Sequence, residues 1–217
     1  EPVLDYYYGL SRPVAIGPGL QKAVAEREAH VGYGSIAMDG NGVRFVRDGM
    51  GITLDGIAKG YVVDQGIAAL RQAGVSDAVV DAGGDLRAIS GAGKRHWNVG
   101  IVDPLQTSRT AAVIRIDNAA VSTSGNYEVF FTADRRLFHI INPHTGYSPQ
   151  RYSSVTVVAS QGIETDAMGV AGFFLDLPRM KEVMAARGAE WLAFDWSGAR
   201  RWRWRNLPLA AGEARIA

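Results

Sequence analysis

The stretch Leu54-Asp55-Gly56-Ile57-Ala58-Lys59-Gly60-Tyr61-Val62-Val63-Asp64 marks a change of period in this 217-residue chain. Before it, short apolar runs are broken by glycine and asparagine. After it, Val63, Ile67 and Leu70 recur at i, i+4 and i+7, one face of a helix that Gly74 ends. The stretch reads as a strand end, a glycine turn, a lysine that is a candidate for burial, and the first turns of a helix. Backbone N–H groups and a cation gathered at a helix start suit a phosphate. An ordinary strand-to-helix turn with a solvated lysine fits the same residues, and the stretch alone does not choose between the two.

The remaining pattern is mostly short strands. Glu1–Pro18, with three prolines, is expected to be irregular, and residues 19–30 are rich in helix formers. Asp39-Gly40-Asn41-Gly42 between Ser35–Met38 and Val43–Val46 is a hairpin signal. Further strands are predicted over 50–54, 78–80, 86–89, 97–102, 112–116, 119–123, 137–141, 155–159 and 191–194. Helices are predicted over 164–175 and over 179–187, the second ended by Gly188. A Ser197-Gly198 turn and a strand over 201–205 would close a last hairpin. Hairpins with few helices indicate an α+β fold and not a doubly wound parallel sheet. No linker or repeat stands out, so residues 1–217 are expected to form one domain.

Composition excludes several classes. The net charge is +1, which nominates neither nucleic acid nor an anionic membrane as partner. No apolar run approaches the roughly 20 residues that span a bilayer. There is no cysteine, so disulfides and thiolate metal sites are ruled out, as an oxidising compartment would tolerate. Glu1–Gly9 has no signal-peptide pattern, and the chain does not start with Met, which points to processing or trimming upstream.

Five further clusters could carry chemistry. In Asp81-Ala82-Gly83-Gly84-Asp85 two glycines let a ligand approach the backbone and an acid follows them; a glycine turn with a capping acid is the alternative. The cluster is not Gly-x-Gly-x-x-Gly, so a dinucleotide fingerprint is not supported. Ser122-Thr123-Ser124-Gly125-Asn126-Tyr127 sets three hydroxyls before a glycine turn, suited to phosphate oxygens; no Ser/His/Asp order marks a nucleophilic serine. His139 ends an apolar run and could be a general base or a satisfied core histidine. His144 follows it across Asn142-Pro143, at a spacing and in a context unlike a helical zinc motif. Asp166 lies in a run of small and apolar residues. It reads either as a ligand to a hard cation or as an acid facing the dipole of its own helix. Arg201-Trp202-Arg203-Trp204-Arg205 alternates as an edge strand does, which favours packed tryptophans over a nucleic-acid patch.

The order of these motifs, from Gly56-Ile57-Ala58-Lys59-Gly60 through Ala82-Gly83-Gly84-Asp85, Thr123-Ser124-Gly125-Asn126-Tyr127 and His139 to Gly146, to Asp166-Ala167, strongly resembles the ApbE family, the FAD:protein FMN transferases. The resemblance runs from about residue 20 to about residue 177. It implies an ApbE-like, T-fold-related α+β fold of mixed or antiparallel sheets with packed helices. It implies Mg²⁺-dependent transfer of the FMN moiety of FAD to a Thr or Ser hydroxyl of a target redox protein, with release of AMP. By resemblance, Asp166 and the Ala58 carbonyl hold Mg²⁺, and Lys59 lies near them. Gly83, Gly84 and Asp85 seat FAD, the turn Ser124, Gly125, Asn126 lines the flavin pocket, and His139 takes the proton of the acceptor hydroxyl. Family members are usually exported, so a periplasmic protein, or one anchored to the membrane from that side, is expected.

The chain departs from the family pattern at Asp55, Asn126, Asn142 and Val170. Val170 stands where the family offers a threonine ligand to Mg²⁺, which implies weaker or altered metal binding. Members also usually carry a further N-terminal region, so the resemblance implies a shortened chain or a shrunken fold, with Tyr6–Tyr8 as material to rebuild the pocket. A non-catalytic FAD-binding protein and a Mg²⁺-dependent FAD pyrophosphatase are the alternatives to a transferase.

Overall fold

The computed structural model describes residues 1–92 and 96–196, and it opens on a helix where the sequence suggests irregular chain. Helix α1 (Pro2–Tyr8) starts with proline at its first position, where the missing N–H is not needed. Pro18 does the same for α2 (Pro18–Glu28). The prolines of this segment thus begin helices as well as break them. Val3 and Tyr7 of α1 pack with Leu20 and Val24 of α2 and with Phe131 and Leu137. Tyr7 stacks on Phe131 and donates its hydroxyl to the Gly146 carbonyl at 2.7 Å, so this tyrosine is a core residue.

These helices belong to the first of two compact units, Glu1–Thr53 with Glu128–Gln150; the second is Leu54–Tyr127 with the chain from Arg151 onward. The first unit also holds the expected hairpin, β1 (Ile36–Asp39) and β2 (Gly42–Phe45). Two predicted strands are absent. Residues 50–54 join no ladder, and the Leu54 carbonyl already accepts from Ile57 and Ala58 as the chain turns into a helix. Residues 137–141 form only the bridge Phe130↔Phe138, flanked by hydrogen bonds from Phe131 N–H to the Leu137 carbonyl (2.7 Å) and from His139 N–H to the Val129 carbonyl (3.3 Å); on the other edge the Ser148 hydroxyl accepts from the Phe138 N–H (2.8 Å) and donates to its carbonyl (2.7 Å).

The second unit is built on a five-stranded antiparallel sheet. In chain order its elements are α3 (Ala58–Gln72), β3 (Ala78–Asp81), β4 (Leu86–Ile89), β5 (Trp97–Asp103), β6 (Gln106–Ile116), β7 (Ala120–Gly125), β8 (Tyr152–Ala159), α4 (Gly162–Gly172), α5 (Leu177–Ala186) and β9 (Glu190–Asp195). The sheet order is β3-β4-β7-β8-β9, and β5 and β6 form a separate antiparallel ribbon. All eight residues of β8 are buried, as befits a central strand covered on both faces. Val158, with Leu86, Val121 and Leu192 of its neighbours, packs against Ile101 and Ile114 of the ribbon. Val155 points the other way, to the spot beside Gly172 of α4. The fold is α+β with antiparallel pairing throughout the described strands. Among the described residues no helix is long and apolar enough to cross a membrane. The expected 201–205 strand lies outside the described residues.

Candidate functional site

Helices α3 and α4 approach so closely that glycine is required at the contact. A Cβ on Gly60 would overlap the Gly162 carbonyl, and one on Gly162 would lie 2.6 Å from the Gly60 carbonyl oxygen. This contact sets two carboxylates. Asp166, in the second turn of α4 and 4% exposed, accepts from the Gly60 N–H through Oδ2 at 3.1 Å. Asp64, in the second turn of α3, accepts from Gly162 (2.8 Å) and Ile163 (3.1 Å) at the start of α4. It also accepts from Arg87 of β4 at 2.6 Å. Thr165 ties α4 to β7 through a hydroxyl–hydroxyl hydrogen bond with Ser122 at 3.1 Å. Asp166 therefore caps the neighbouring helix, which corrects the reading of it as an acid serving its own helix dipole.

The glycine turn after β3 brings in the third carboxylate. Gly83 (φ 70) and Gly84 (φ 93) occupy the left-handed region that glycine alone enters freely. The Gly84 N–H is held by the Asp81 carboxylate at 2.8 Å, and the Ala82 N–H by the Asp85 carbonyl at 2.9 Å. Asp85 pairs with Lys59. The Asp85 side chain is 5% exposed and that of Lys59 is 53%, so the lysine is not the buried group its context suggests. Asp85 Oδ2 takes no aligned hydrogen bond beyond this ion pair.

Charge accounts for the protonation behaviour. Burial of the Lys59 stem works against its ammonium, but the hydrogen bond and charge of Asp85, with Asp166 and Asp81 beyond, hold its pKa above the ordinary value. Burial pushes the Asp166 carboxyl up; the Gly60 N–H pulls it down, Asp85 repels it and Lys59 offsets that repulsion. Asp85, Asp166 and Asp81 act on the one Lys59 ammonium, whereas Asp64 is matched by Arg87. Among the described residues no three His, Asp or Glu side chains converge on one point.

Ala58, Lys59, Asp85 and Asp166 are brought together around the start of α3. Ser124 and Gly125 are not in a turn, as expected, but inside β7, paired with Val155 and Ser154 of β8; the turn begins at Asn126, whose N–H donates to Ser153 at 3.0 Å. The ladder extends further because β8 is a long partner. Ser124 faces α4, where a Cβ on Gly169 would come within 2.9 Å of its hydroxyl. A cleft of about 470 Å³ adjoins the glycine turn, lined by Asp81, Gly84, Leu86, Trp97, Val121 and Thr123. Val170 presents its methyl 3.5 Å from where a Gly56 Cβ would be. His139 lies in the first unit, partly exposed, with Nδ1 3.4 Å from the Val129 carbonyl. The sequence reading missed Arg87, Thr165 and the role of Asp64; the i, i+4 spacing of Gly60 and Asp64 on one helix face was the available signal.

The second unit is thus an antiparallel α+β domain with an acid-rich, lysine-bearing site at a glycine-packed helix crossing. The ApbE family model matches residues 11–193, and the chain belongs to the ApbE family. It is 35% identical over 161 residues to the FAD:protein FMN transferase of Treponema pallidum, covering 69% of this chain and 44% of the relative. To the FAD:protein FMN transferase of Haemophilus influenzae it is 33% identical over 172 residues, covering 74% and 49%. The chain thus spans about half the length of these curated relatives. Among solved structures, the ApbE protein of Thermotoga maritima superposes with TM-score 0.76 at 31% identity, over 84% of this chain and 61% of that one. The flavin transferase ApbE of Vibrio cholerae gives 0.77 at 24% identity, over 94% and 66%, a likeness of fold.

Proposed function

We propose that this protein is a flavin transferase that moves the FMN moiety of FAD to a Thr or Ser hydroxyl of a target redox protein. The observation that carries the reading is the buried pair Asp85 and Asp166 flanking Lys59 at the start of α3, beside the Gly83-Gly84 turn. Lys59 would neutralise pyrophosphate oxygens, and the turn, without side chains at Gly83 and Gly84, would let the ligand approach the backbone closely. Asp166, with one N–H on its carboxylate, and the second lone pair of the Ala58 carbonyl would hold Mg²⁺. When bound, the ion supplies neutralisation of the charge on the transferring phosphoryl group. The acceptor oxygen bonds to the flavin-side phosphorus, the bridging P–O bond breaks, and AMP leaves with the electron pair. His139 is assigned the acceptor's proton by family resemblance. The cleft beside Trp97 offers room for a planar ring of FAD.

Val170 favours a second reading, FAD binding without transfer, because it stands where the family pattern offers a threonine ligand to Mg²⁺ and has no oxygen to give. Export, with action in the periplasm or on its membrane face, is part of the proposal and follows from where family members usually act. The test is incubation with FAD, Mg²⁺ and a Thr-containing target peptide. Flavin-labelled peptide and AMP support transfer, bound FAD without products supports the binding protein, and AMP with free FMN supports hydrolysis. No FAD binding at all would sink the flavin reading.

A further inference from the structure

We propose that Asp64 is a positioning residue, one half of a reciprocal clamp in which each of two helices is capped by a carboxylate of the other. The first N–H groups of a helix have no partner within it. Neither Ile57 before α3 nor Gln161 before α4 supplies a side-chain cap. Asp64 of α3 instead satisfies Gly162 and Ile163 of α4, and Asp166 of α4 satisfies Gly60 of α3. Both carboxylates are buried, and the Gly60–Gly162 contact leaves no room for a side chain between the helices.

The two halves are unequal. Asp64 takes three donors, including the Arg87 guanidinium, and its charge is balanced on the spot. Asp166 takes one N–H and keeps lone pairs for a ligand. Asp64 is therefore the anchor and Asp166 the group being placed. The anchor holds the first turn of α4 against α3, and Asp166, one turn on, is delivered beside Lys59 and Asp85. Asp64 acts through this placement and touches no reacting atom.

Asp64→Asn tests the clamp, since asparagine keeps the shape but cannot accept from all three donors. Hydrogen exchange of the Gly60 amide should speed up by at least about tenfold in the folded variant, because Asp166 loses its register on that N–H. FAD affinity, measured by flavin fluorescence well below the melting temperature, should fall by a similar factor; this second effect rests on the flavin reading above, the first does not. Glu164→Gln, on the same first turn of α4 but outside the clamp, should change neither. A lowered melting temperature with unchanged Gly60 exchange would reduce Asp64 to a stabilising residue and overturn the proposal. If wild-type protein ignores FAD, the flavin reading fails and Gly60 exchange still decides the clamp. If Asp64→Asn does not fold, native-state exchange of the wild type in low denaturant decides it. Gly60, Gly162 and Ile163 must then open together, and opening of Gly60 alone at lower denaturant would refute the coupling.

Discussion

Replacing Gly60 by alanine probes the contact on which the site depends. The new methyl meets the Gly162 carbonyl, which is backbone and cannot rotate away as a side chain would. Relief requires the helices to part by about an ångström, which lengthens the bonds from Gly60 to Asp166 (3.1 Å) and from Gly162 to Asp64 (2.8 Å) beyond useful range. Hydrogen bonds to charged groups contribute about 1.5–3 kcal/mol each, so losing two costs about 3–6 kcal/mol. Alanine returns about 1 kcal/mol of helix propensity, leaving a net loss of about 2–5 kcal/mol. In a chain of this size that lowers the melting temperature by roughly 4–20 °C. Urea unfolding followed by far-UV circular dichroism measures it. Gly169→Ala is the matched control, because its methyl meets only the Ser124 hydroxyl, which can turn aside, and its effect should stay within about 1 kcal/mol. A Gly60→Ala protein as stable as wild type, or one no worse than Gly169→Ala, would refute the argument from backbone contact.

Three further outcomes are expected. Asp166 has a raised carboxyl pKa, so its folded form keeps a proton that the unfolded chain loses near 3.8, and its contribution to stability falls as pH rises from there through the folded value. Asp166→Asn, which retains an acceptor for Gly60, should therefore gain stability relative to wild type across that window and keep the gain at pH 7, while losing Mg²⁺-dependent turnover; a difference independent of pH would show that burial does not govern this carboxylate. Val170→Thr should tighten Mg²⁺ binding in the presence of FAD, read by calorimetry, and unchanged binding would remove this position from the metal approach. Tyr7→Phe leaves the Gly146 carbonyl without its buried donor and should cost about 1–3 kcal/mol in thermal unfolding, with no change in stability refuting a structural role for that bond.

The hairpin at Asp39–Gly42, the α3 face of Val63 and Ile67, and the strand over 155–159, which the structure starts at Tyr152, were legible because each rests on local chemistry: turn residues, helical period, β-branched runs. The two missing strands had the right residues, but 50–54 meets no ladder partner and 137–141 finds only the one-residue bridge to Phe130, and pairing is not a local property of either segment. In the site, Lys59, Asp85 and Asp166 were each identifiable by type and motif order. Their meeting was not, since it depends on two glycines, residues 60 and 162, that let the helices touch.

By itself the sequence determined which segments turn, which faces are apolar, and that several carboxylates, a lysine and paired glycines stand in an ApbE-like order. Only the tertiary structure decided that Asp64 serves α4, that Asp166 serves α3, and that Lys59 is half exposed while its partner Asp85 is buried. The physical reason is that capping, desolvation and ion pairing act through space. A carboxylate takes whichever N–H or ammonium the packed glycines bring within reach, however distant that donor is along the chain.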